Sequence, residues 1–468
     1  MLLTKQKEPA MFIPENNQIQ IFEAIFPLQF IEIDNELQAI DTFLTENPEV
    51  LETFSSLLKE RCQHSRTLGR HSKPAESIFR MLILRRLYNL SFRDMHRQVN
   101  DSLTLRKFTK TYHRNVPHYS TLARYDALLS EEVLKKINHH IVHGARSRKM
   151  TRGRKMRIDT TVVDGHVHHP TDSSLLYDGI RVLSRMKEKC RKAGFATGEV
   201  TRNFTRSAKK QLLCMIKYTR SRRQDREQLI LDTHDKLIQI AKRSLSHTRK
   251  LIETILPECA EKEAIQIKKN LEHYIPLVER VVKQTEKHLF KGEKLSNHER
   301  LISIFQPDVY VLSKVDHRQR HRFGKLFELE QTEGKIVSNW NTWSNNQADT
   351  SLLIPATKKH IKIFGKPPDL VAMDRGFYSH ENETEVQALG VKRVCVPYKG
   401  KKKKDRIIYE KKAWFRRGQR FRAGIEGTIS VLKRKYGLNR CLNTGSMAFE
   451  RWVGMGVITY NLIVIASG

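Results

Sequence analysis

The sequence has comparatively few acidic residues, no closely spaced cysteines and no long apolar run. Its six cysteines include no CxxC pair, which argues against a disulfide framework or a cysteine zinc site and favours reduced thiols. Its most apolar run is Trp452–Ala466, which contains Asn461 and is too short to span a bilayer. A buried helix is predicted there. Residues 1–30 lack the basic and then apolar build of a signal peptide, so we expect no membrane partner.

The excess of basic residues indicates a polyanionic partner. Lys and Arg number 85 against 51 Asp and Glu in 468 residues, a formal net charge of +34. Because the basic residues run through the whole chain, nucleic acid is favoured over a membrane surface, and a charge that serves solubility alone is the alternative. Binding is expected to weaken steeply with salt, since each phosphate contact releases counterions.

Residues 1–150 predict a helical region. The segment Asn115–Arg124 predicts a turn followed by a Ser-capped helix, with Ser120 and Thr121 in its first turn and Arg124 behind them. The first turn of a recognition helix meets bases and phosphates, so a helix-turn-helix is one interpretation and a plain helical bundle is the other.

A basic connector and then a strand are predicted next. The connector, His139–Arg157, indicates a linker or a DNA-tracking segment, and the strand covers Lys155–Asp164. Alternation places Arg157, Asp159 and Thr161 on one face of the strand. An acid in the middle of a strand is costly to bury unless it binds a metal or a partner. Asp159 is therefore a candidate site residue, with an edge-strand aspartate as the alternative.

A long, charged, helical stretch at residues 179–301 predicts an α-helical insertion. Its basic end would clamp DNA or form a solvated face. Three histidines precede it at 166, 168 and 169, without a fourth ligand spaced to close a zinc site, so a solvated or DNA-facing loop is expected.

A second acid follows a short strand. The strand Leu370–Met373 ends on Asp374, and the carboxyl ends of strands border the crevice where open α/β sheets bind ligands. A turn aspartate is the alternative. Upstream, Asp349 is predicted to cap a helix that runs to Ile363.

The stretch Gln419–Arg440 predicts a helix that carries a third acid. At roughly 100° per residue, Arg422, Glu426 and Lys433 fall within about 40° of one another. An exposed basic helix with an ordinary glutamate is the alternative. An adjoining apolar stripe would dock the helix on a sheet: Ile425, Ile429, Leu432 and Tyr436.

Two glycines interrupt this helix. Gly424 and Gly427 each cost about 1 kcal/mol relative to Ala in a helix, so they indicate a close approach by another backbone or by a ligand.

Two strand acids and one helix acid, in a βββαβα order with a helical insertion, describe a ribonuclease H-like core. The predicted fold is α/β: a mixed sheet flanked by helices at 151–178 and 302–468, the insertion at 179–301, and an all-α DNA-binding region at 1–150. Three carboxylates can hold two Mg²⁺ ions for an in-line phosphoryl transfer.

The sequence resembles the DDE transposases of bacterial insertion sequences in three segments. IDTTVVDGHVHHPTDSSLLYDG surrounds the first acid, VAMDRGFYSHEN the second and QRFRAGIEGTISVLKRKYGL the third. The third is similar to the family's Y-(2)-R-(3)-E-(6)-K signature, with Arg422, Glu426 and Lys433 in register. Gln419 stands at the tyrosine position of that signature.

The resemblance implies that Asp159, Asp374 and Glu426 bind two Mg²⁺ ions, with Mn²⁺ as a substitute. It implies hydrolysis at the ends of the element, transfer of the freed 3′-hydroxyl to target DNA, and a homodimer or higher oligomer on DNA in the bacterial cytoplasm, at the nucleoid. A catalytically inactive DNA-binding relic and another ribonuclease H-like nuclease are the rival functions. The DNA contacts would come from Arg422, Lys433, Arg375, Ser120, Thr121 and Arg124.

Overall fold

The computed structural model describes residues 32–59, 74–112, 114–255, 261–293, 295–296, 299–312, 321–343 and 347–468. Contacts divide the chain into two compact units. The core unit comprises Met1–Asp164 and Leu326–Gly468, and the helical unit comprises Gly165–Lys325. The mixed α/β class with a sheet flanked by helices is confirmed, whereas the domain boundaries given above stay predictions.

The described residues before the first strand fold into helices. The predicted connector was wrong at its beginning, because a helix continues through His139 to Ser147. Its apolar residues recur at helical spacing and are buried, among them Ile137 and Ile141. The helices are α1 Asn35–Glu46, α2 Pro48–Lys59, α3 Ala75–Leu87, α4 Phe92–Asp101, α5 Leu103–Phe108, α6 Tyr119–Asp126 and α7 Glu131–Ser147.

Helix α6 does not begin with a serine cap as predicted. His118 is its N-cap, and the imidazole Nδ1 accepts a hydrogen bond from the Ser120 backbone N–H at 3.4 Å. The Ser120 side chain instead lies within the first turn, hydrogen-bonded to the same imidazole nitrogen at 2.8 Å. The helix predicted to follow the turn is therefore present with a different cap.

The strands form a mixed sheet. In the core unit the order is β4-β3-β1-β5-β6, with β3 and β4 antiparallel and β1, β5 and β6 parallel. Within the helical unit, β2 pairs with the first residues of β3. The strands are β1 Lys155–Asp164, β2 Tyr310–Leu312, β3 Arg322–Thr332, β4 Val337–Trp343, β5 Leu370–Ala372 and β6 Arg393–Cys395.

The remaining helices complete both units. Those of the helical unit are α8 Asp172–Lys192, α9 Thr205–Thr219, α10 Arg226–Ile255 and α11 Lys262–Phe290; those of the core unit are α12 Asp349–Phe364, α13 His380–Ala388, α14 Lys404–Lys411, α15 Ala413–Lys435 and α16 Ser446–Ala466.

Helices cover both faces of the core unit's sheet. On one face, Met156 and Ile158 of β1 pack with Leu353 of α12 and Val386 of α13. Helix α15 contacts β1 and β5, and a hydrogen bond from the Arg157 guanidinium to the Phe421 carbonyl joins β1 to it. The acids predicted on β1 and α15 therefore belong to elements that touch.

The predicted buried helix at the C-terminal end is confirmed as α16. Asn461 is fully buried there, and its amide donates to the Val337 carbonyl and to Asn138, both at 2.8 Å. These hydrogen bonds compensate for the desolvation of the amide. Within the described ranges, no helix is both long and apolar enough to cross a bilayer.

The helical unit has a core of its own. Leu176, Ile180, Leu237 and Leu271, from α8, α10 and α11, are buried together. In the loop before α8, His168 Nε2 lies 3.5 Å from Asp178 Oδ2. The predicted helical stretch is confirmed as α8 to α11, and the first of these helices starts earlier than residue 179.

Candidate active site

The side chains of β1 point at α15 with the predicted alternation. Asp159 Oδ2 lies 3.3 Å from Arg422 Nη2, and Lys433 Nζ donates to the Thr161 hydroxyl at 2.6 Å. Arg157, on the same face, is 5% exposed. The face of β1 that carries Asp159 therefore meets the charged face of the helix.

Asp159 lies on β1, and Asp374 follows the end of β5, the strand that runs parallel to β1. Arg157 of β1 is in register with Ala372 of β5, and each acid follows its register partner by two residues. Neighbouring strands are about 4.8 Å apart, so this register, continued past the end of β5, would put the two aspartates at one level of the sheet. Asp374 also begins a turn, because its Oδ1 accepts the Gly376 N–H at 2.7 Å.

One guanidinium joins two of the three predicted acids. Arg422 Nη1 lies 2.7 Å from Glu426 Oε1, while Nη2 of the same side chain reaches Asp159. Asp159 and Arg422 are mostly buried at 14% and 18% exposure, whereas Glu426 is 61% exposed. Two carboxylates from different elements thus converge on one cation.

Carboxylate oxygens are the ligands that Mg²⁺ and Mn²⁺ prefer, so the residues present fit such an ion. In the arrangement seen, no three His, Cys, Asp or Glu side chains in the described ranges are grouped closely enough to hold a metal. The Arg422 cation lies between Asp159 and Glu426, and an ion bound by both would have to replace it.

The apolar stripe of α15 is confirmed, but the helix bounds differ from those predicted. Ile425, Leu432 and Tyr436 are buried. The helix ends at Lys435 because Gly437 has φ +68°, a left-handed conformation that stops a helix. The Leu438 N–H donates a hydrogen bond to the Leu432 carbonyl at 3.1 Å, which closes the last turn.

The glycine prediction holds in part. A Cβ on Gly424 would lie 2.3 Å from Arg157 Nη1, so the close neighbour is a side chain of β1 rather than a backbone or a ligand. A Cβ on Gly427 would meet nothing within 4 Å, so no close approach explains this second glycine. Gly424 allows α15 to lie directly on the Arg157 guanidinium.

Gln419, at the tyrosine position of the signature, ties α15 to the sheet. Its Nε2 donates to the Cys395 carbonyl at 3.1 Å and to the Met373 carbonyl at 3.3 Å. Met373 directly precedes Asp374. The amide therefore holds the end of β5 against the helix, close to the second acid.

The position of Asp349 was not predicted from the sequence. The prediction of a cap was wrong, because Ala348 is the N-cap and Asp349 is the first residue of α12. Asp349 Oδ1 accepts the Thr160 hydroxyl at 2.9 Å. A Cβ on Gly376 would lie 2.9 Å from Asp349 Oδ2 and also 2.9 Å from Asp374 Oδ1. A fourth carboxylate thus links β1 to the turn of Asp374.

Two buried glutamates on β3 were also missed. Glu328 and Glu330 are 1% and 0% exposed, and they receive hydrogen bonds from Asn341 and Asn339 on β4. Within the described residues, one oxygen of each carboxyl has no hydrogen-bond partner. The alternation Glu-Leu-Glu, directly after Leu326 and Phe327, was the available signal, since it sends both acids to one face.

Burial and the neighbouring Glu328 raise the pKa of Glu330 to about 8 from an ordinary value of 4.5. The folded state therefore keeps a proton that the unfolded chain releases, so the free energy of unfolding falls as the pH rises from 4.5 towards 8. We expect Glu330→Gln, which preserves the acceptor for Asn339, to stabilise the protein at pH 8 by a few kcal/mol and to make little difference near pH 4.5. Thermal unfolding across this range measures the effect.

The matched control for this prediction is Glu381→Gln, because Glu381 is exposed on α13. It should leave the pH dependence unchanged. A stability difference between Glu330→Gln and the parent chain that does not vary with pH would contradict the assignment of a buried, protonated carboxyl.

Of the other predicted DNA-contact residues, Thr121 is half-buried and the rest are exposed. Arg375 follows Asp374 in a short turn and is exposed. On α6, Ser120 and Arg124 are exposed, and Arg124 Nη2 donates to the Thr121 hydroxyl at 3.3 Å. All of these side chains are accessible to a DNA backbone.

The family described as Transposase domain (DUF772) matches residues 27–127, and the family described as Transposase DDE domain matches residues 326–462. No curated protein and no solved structure matches the chain. The second match contains Asp374 and Glu426, and the first contains α6. The chain therefore belongs to the DDE transposases of insertion sequences.

Proposed function

We propose that the protein cuts DNA at the ends of an insertion sequence and transfers the freed 3′ ends to target DNA, with two divalent metal ions. The observation that carries this proposal is that one guanidinium joins the acids of β1 and α15, while the third acid follows the strand beside β1. The register of β1 with β5, continued past the end of β5, would put Asp374 at the level of Asp159, and Glu426 is joined to Asp159 through Arg422.

The strand order supports a ribonuclease H-like catalytic domain. Across the core unit's sheet the strands lie in the order β4-β3-β1-β5-β6. Numbered along the chain within this unit, that order is 3-2-1-4-5. The acids lie on the first strand, after the fourth strand and on the helix α15 that packs against both. The crevice at the carboxyl end of β5 is the place where such a sheet binds its ligand.

Asp159, Asp374 and Glu426 would hold the metal ions. Divalent ions there would stabilise the attacking and leaving oxygens of an in-line phosphoryl transfer, with Mg²⁺ preferred and Mn²⁺ as a substitute. Arg422 now neutralises two of these carboxylates. If these carboxylates held a metal ion instead, the guanidinium would be available to a DNA phosphate, for which its planar geometry is suited.

The DNA contacts are proposed from exposure and charge. Lys433 lies on the same face of α15 as Glu426 and reaches Thr161. Arg375 is exposed directly beside Asp374. Helix α6 would present Ser120, Thr121 and Arg124 to the terminal repeat, and pairing of two ends calls for a homodimer or a larger assembly.

The test is cleavage of a labelled duplex that carries the element's own ends, with Mg²⁺, with Mn²⁺ or with EDTA. We expect cutting with either metal, none with EDTA, and a loss of at least about 10³-fold in Glu426→Gln, because a metal-binding carboxylate is lost. Glu381→Gln, an identical change at an exposed acid, should cut like the parent chain.

Salt-sensitive DNA binding without any metal-dependent cutting would overturn the proposal and identify a DNA-binding relic. Cutting that does not depend on the terminal sequence, with no joined product, would instead favour another ribonuclease H-like nuclease.

A further inference from the structure

A basic cleft of about 490 Å³ opens at the edge of the core unit's sheet where β1, β5 and β6 begin. Five of its lining side chains are cations. Asp369 is the single acid that lines the cleft, and its Oδ1 lies 3.0 Å from Lys392 Nζ. The other four cations have no carboxylate within ion-pair distance in the described part of the chain: Arg154, Lys155, Arg393 and Arg417. The cleft thus has an excess of positive charge for an anionic ligand.

Two aromatic rings line the same cleft. Trp414 and Phe421 are both half-buried. The Arg393 guanidinium lies 5.8 Å from the centre of the Trp414 ring, and Lys155 Nζ lies 5.8 Å from that of Phe421. A nucleotide requires cations and flat rings close together, since the phosphate meets the charge and the base stacks on a ring.

We propose that this cleft binds a single-stranded segment of DNA, with phosphates on Arg393 and Arg417 and a base on Trp414. A paired base is stacked within its duplex and cannot enter a concave site, whereas an unpaired base can. The inference rests on the proposed function only in taking DNA as the partner, because the cleft contains none of the three acids.

The cleft lies a defined distance from those acids. Lys155 and Asp159 are four residues apart on β1, a span of about 13 Å. Arg417 and Glu426 are nine residues apart on α15, again about 13 Å. At about 3.4 Å per nucleotide of a stacked strand, the bound base is roughly four nucleotides from the phosphate at the acids.

The test measures binding of the full chain to labelled dT12 and to a 12-unit abasic strand of equal charge, by fluorescence anisotropy in EDTA. We expect dT12 to bind about tenfold more tightly than the abasic strand, because a stacked base adds this much. Trp414→Leu should remove most of that preference. The double variant Arg393→Gln with Arg417→Gln should weaken both ligands and reduce the salt slope by about 1.4, since each lost phosphate contact accounts for about 0.7.

The matched control is Arg416→Gln with Arg420→Gln, which alters two exposed cations of the same helix that do not line the cleft. It should retain the preference for dT12. Equal binding of both strands by the parent chain, or a preference that survives in Trp414→Leu, would overturn the stacking site. Equal effects of the two double variants would overturn the phosphate contacts.

Because the binding is measured without metal, it is separate from the cleavage test. A protein that binds dT12 as expected but never cuts would refute the proposed reaction and leave the cleft in place. A protein that cuts DNA but binds dT12 and the abasic strand equally would refute the stacking site in the cleft alone.

Discussion

Asp159→Asn and Asp374→Asn are each expected to lower the rate of DNA cleavage by at least about 10³-fold while DNA binding stays near that of the parent chain. Asn keeps the shape of the side chain but loses the charge that holds a divalent ion. Each aspartate would supply its own oxygen ligands to the ions, so neither can replace the other. Cleavage is measured under Mg²⁺, and binding is measured separately in EDTA.

Lys433→Ala provides the contrast within the same site. Its ammonium donates to Thr161 and carries a positive charge, so its loss should weaken binding of the DNA ends and reduce cutting without abolishing it. Arg422→Gln is informative as well, because this side chain bridges Asp159 and Glu426. Equal loss of binding and of cutting in the acid variants and in Lys433→Ala would contradict the division between metal-binding and DNA-binding residues.

Arg86→Met is expected to cost about 3 kcal/mol in the free energy of unfolding, because two buried carbonyls lose their donor. Arg86 is 2% exposed and donates to the Tyr436 carbonyl at 2.6 Å and to the Trp452 carbonyl at 2.9 Å. Its guanidinium also lies 3.9 Å from the centre of the Trp452 ring. Denaturant unfolding measures the loss.

The position of Arg86 connects this stability to the site. Tyr436 is the C-cap of α15, where a cation complements the negative end of the helix dipole, and α15 carries Glu426. The control is Arg97→Met, since Arg97 is 71% exposed in a surface pair with Asp94, and it should change stability by less than about 0.5 kcal/mol. Similar losses of stability in both variants would show that the buried hydrogen bonds of Arg86 to the Tyr436 and Trp452 carbonyls have no special role in stability.

Local periodicity was sufficient to predict the elements that carry the acids. The strand of Asp159, the short strand before Asp374 and the charged face of α15 follow from alternation at two residues and spacing at 3.6 residues, which are encoded in neighbouring residues. The buried C-terminal helix was predicted on the same basis, because its apolar run leaves no polar face. Helix ends were less predictable, as at His118 and Lys435, since caps depend on a few dihedral angles.

Contacts between distant elements could not be predicted from the sequence. Nothing near Asp349 in the chain indicates that it meets Thr160, and nothing near Gly424 indicates that its neighbour is Arg157. Such pairs depend on the register of β1 with β5 and on the packing of α15, which are set by many residues together.

The sequence by itself determined the composition of the site: two strand acids, one helix acid and the cations that share its face, because residue type and spacing are local properties. Only the tertiary structure decided how that site is arranged. It brought Asp349 to the turn of Asp374 and buried Glu328 and Glu330 on one face of β3. It also put Arg422 between Asp159 and Glu426, since the distance between two charges depends on how the sheet and the helix pack, not on their separation along the chain.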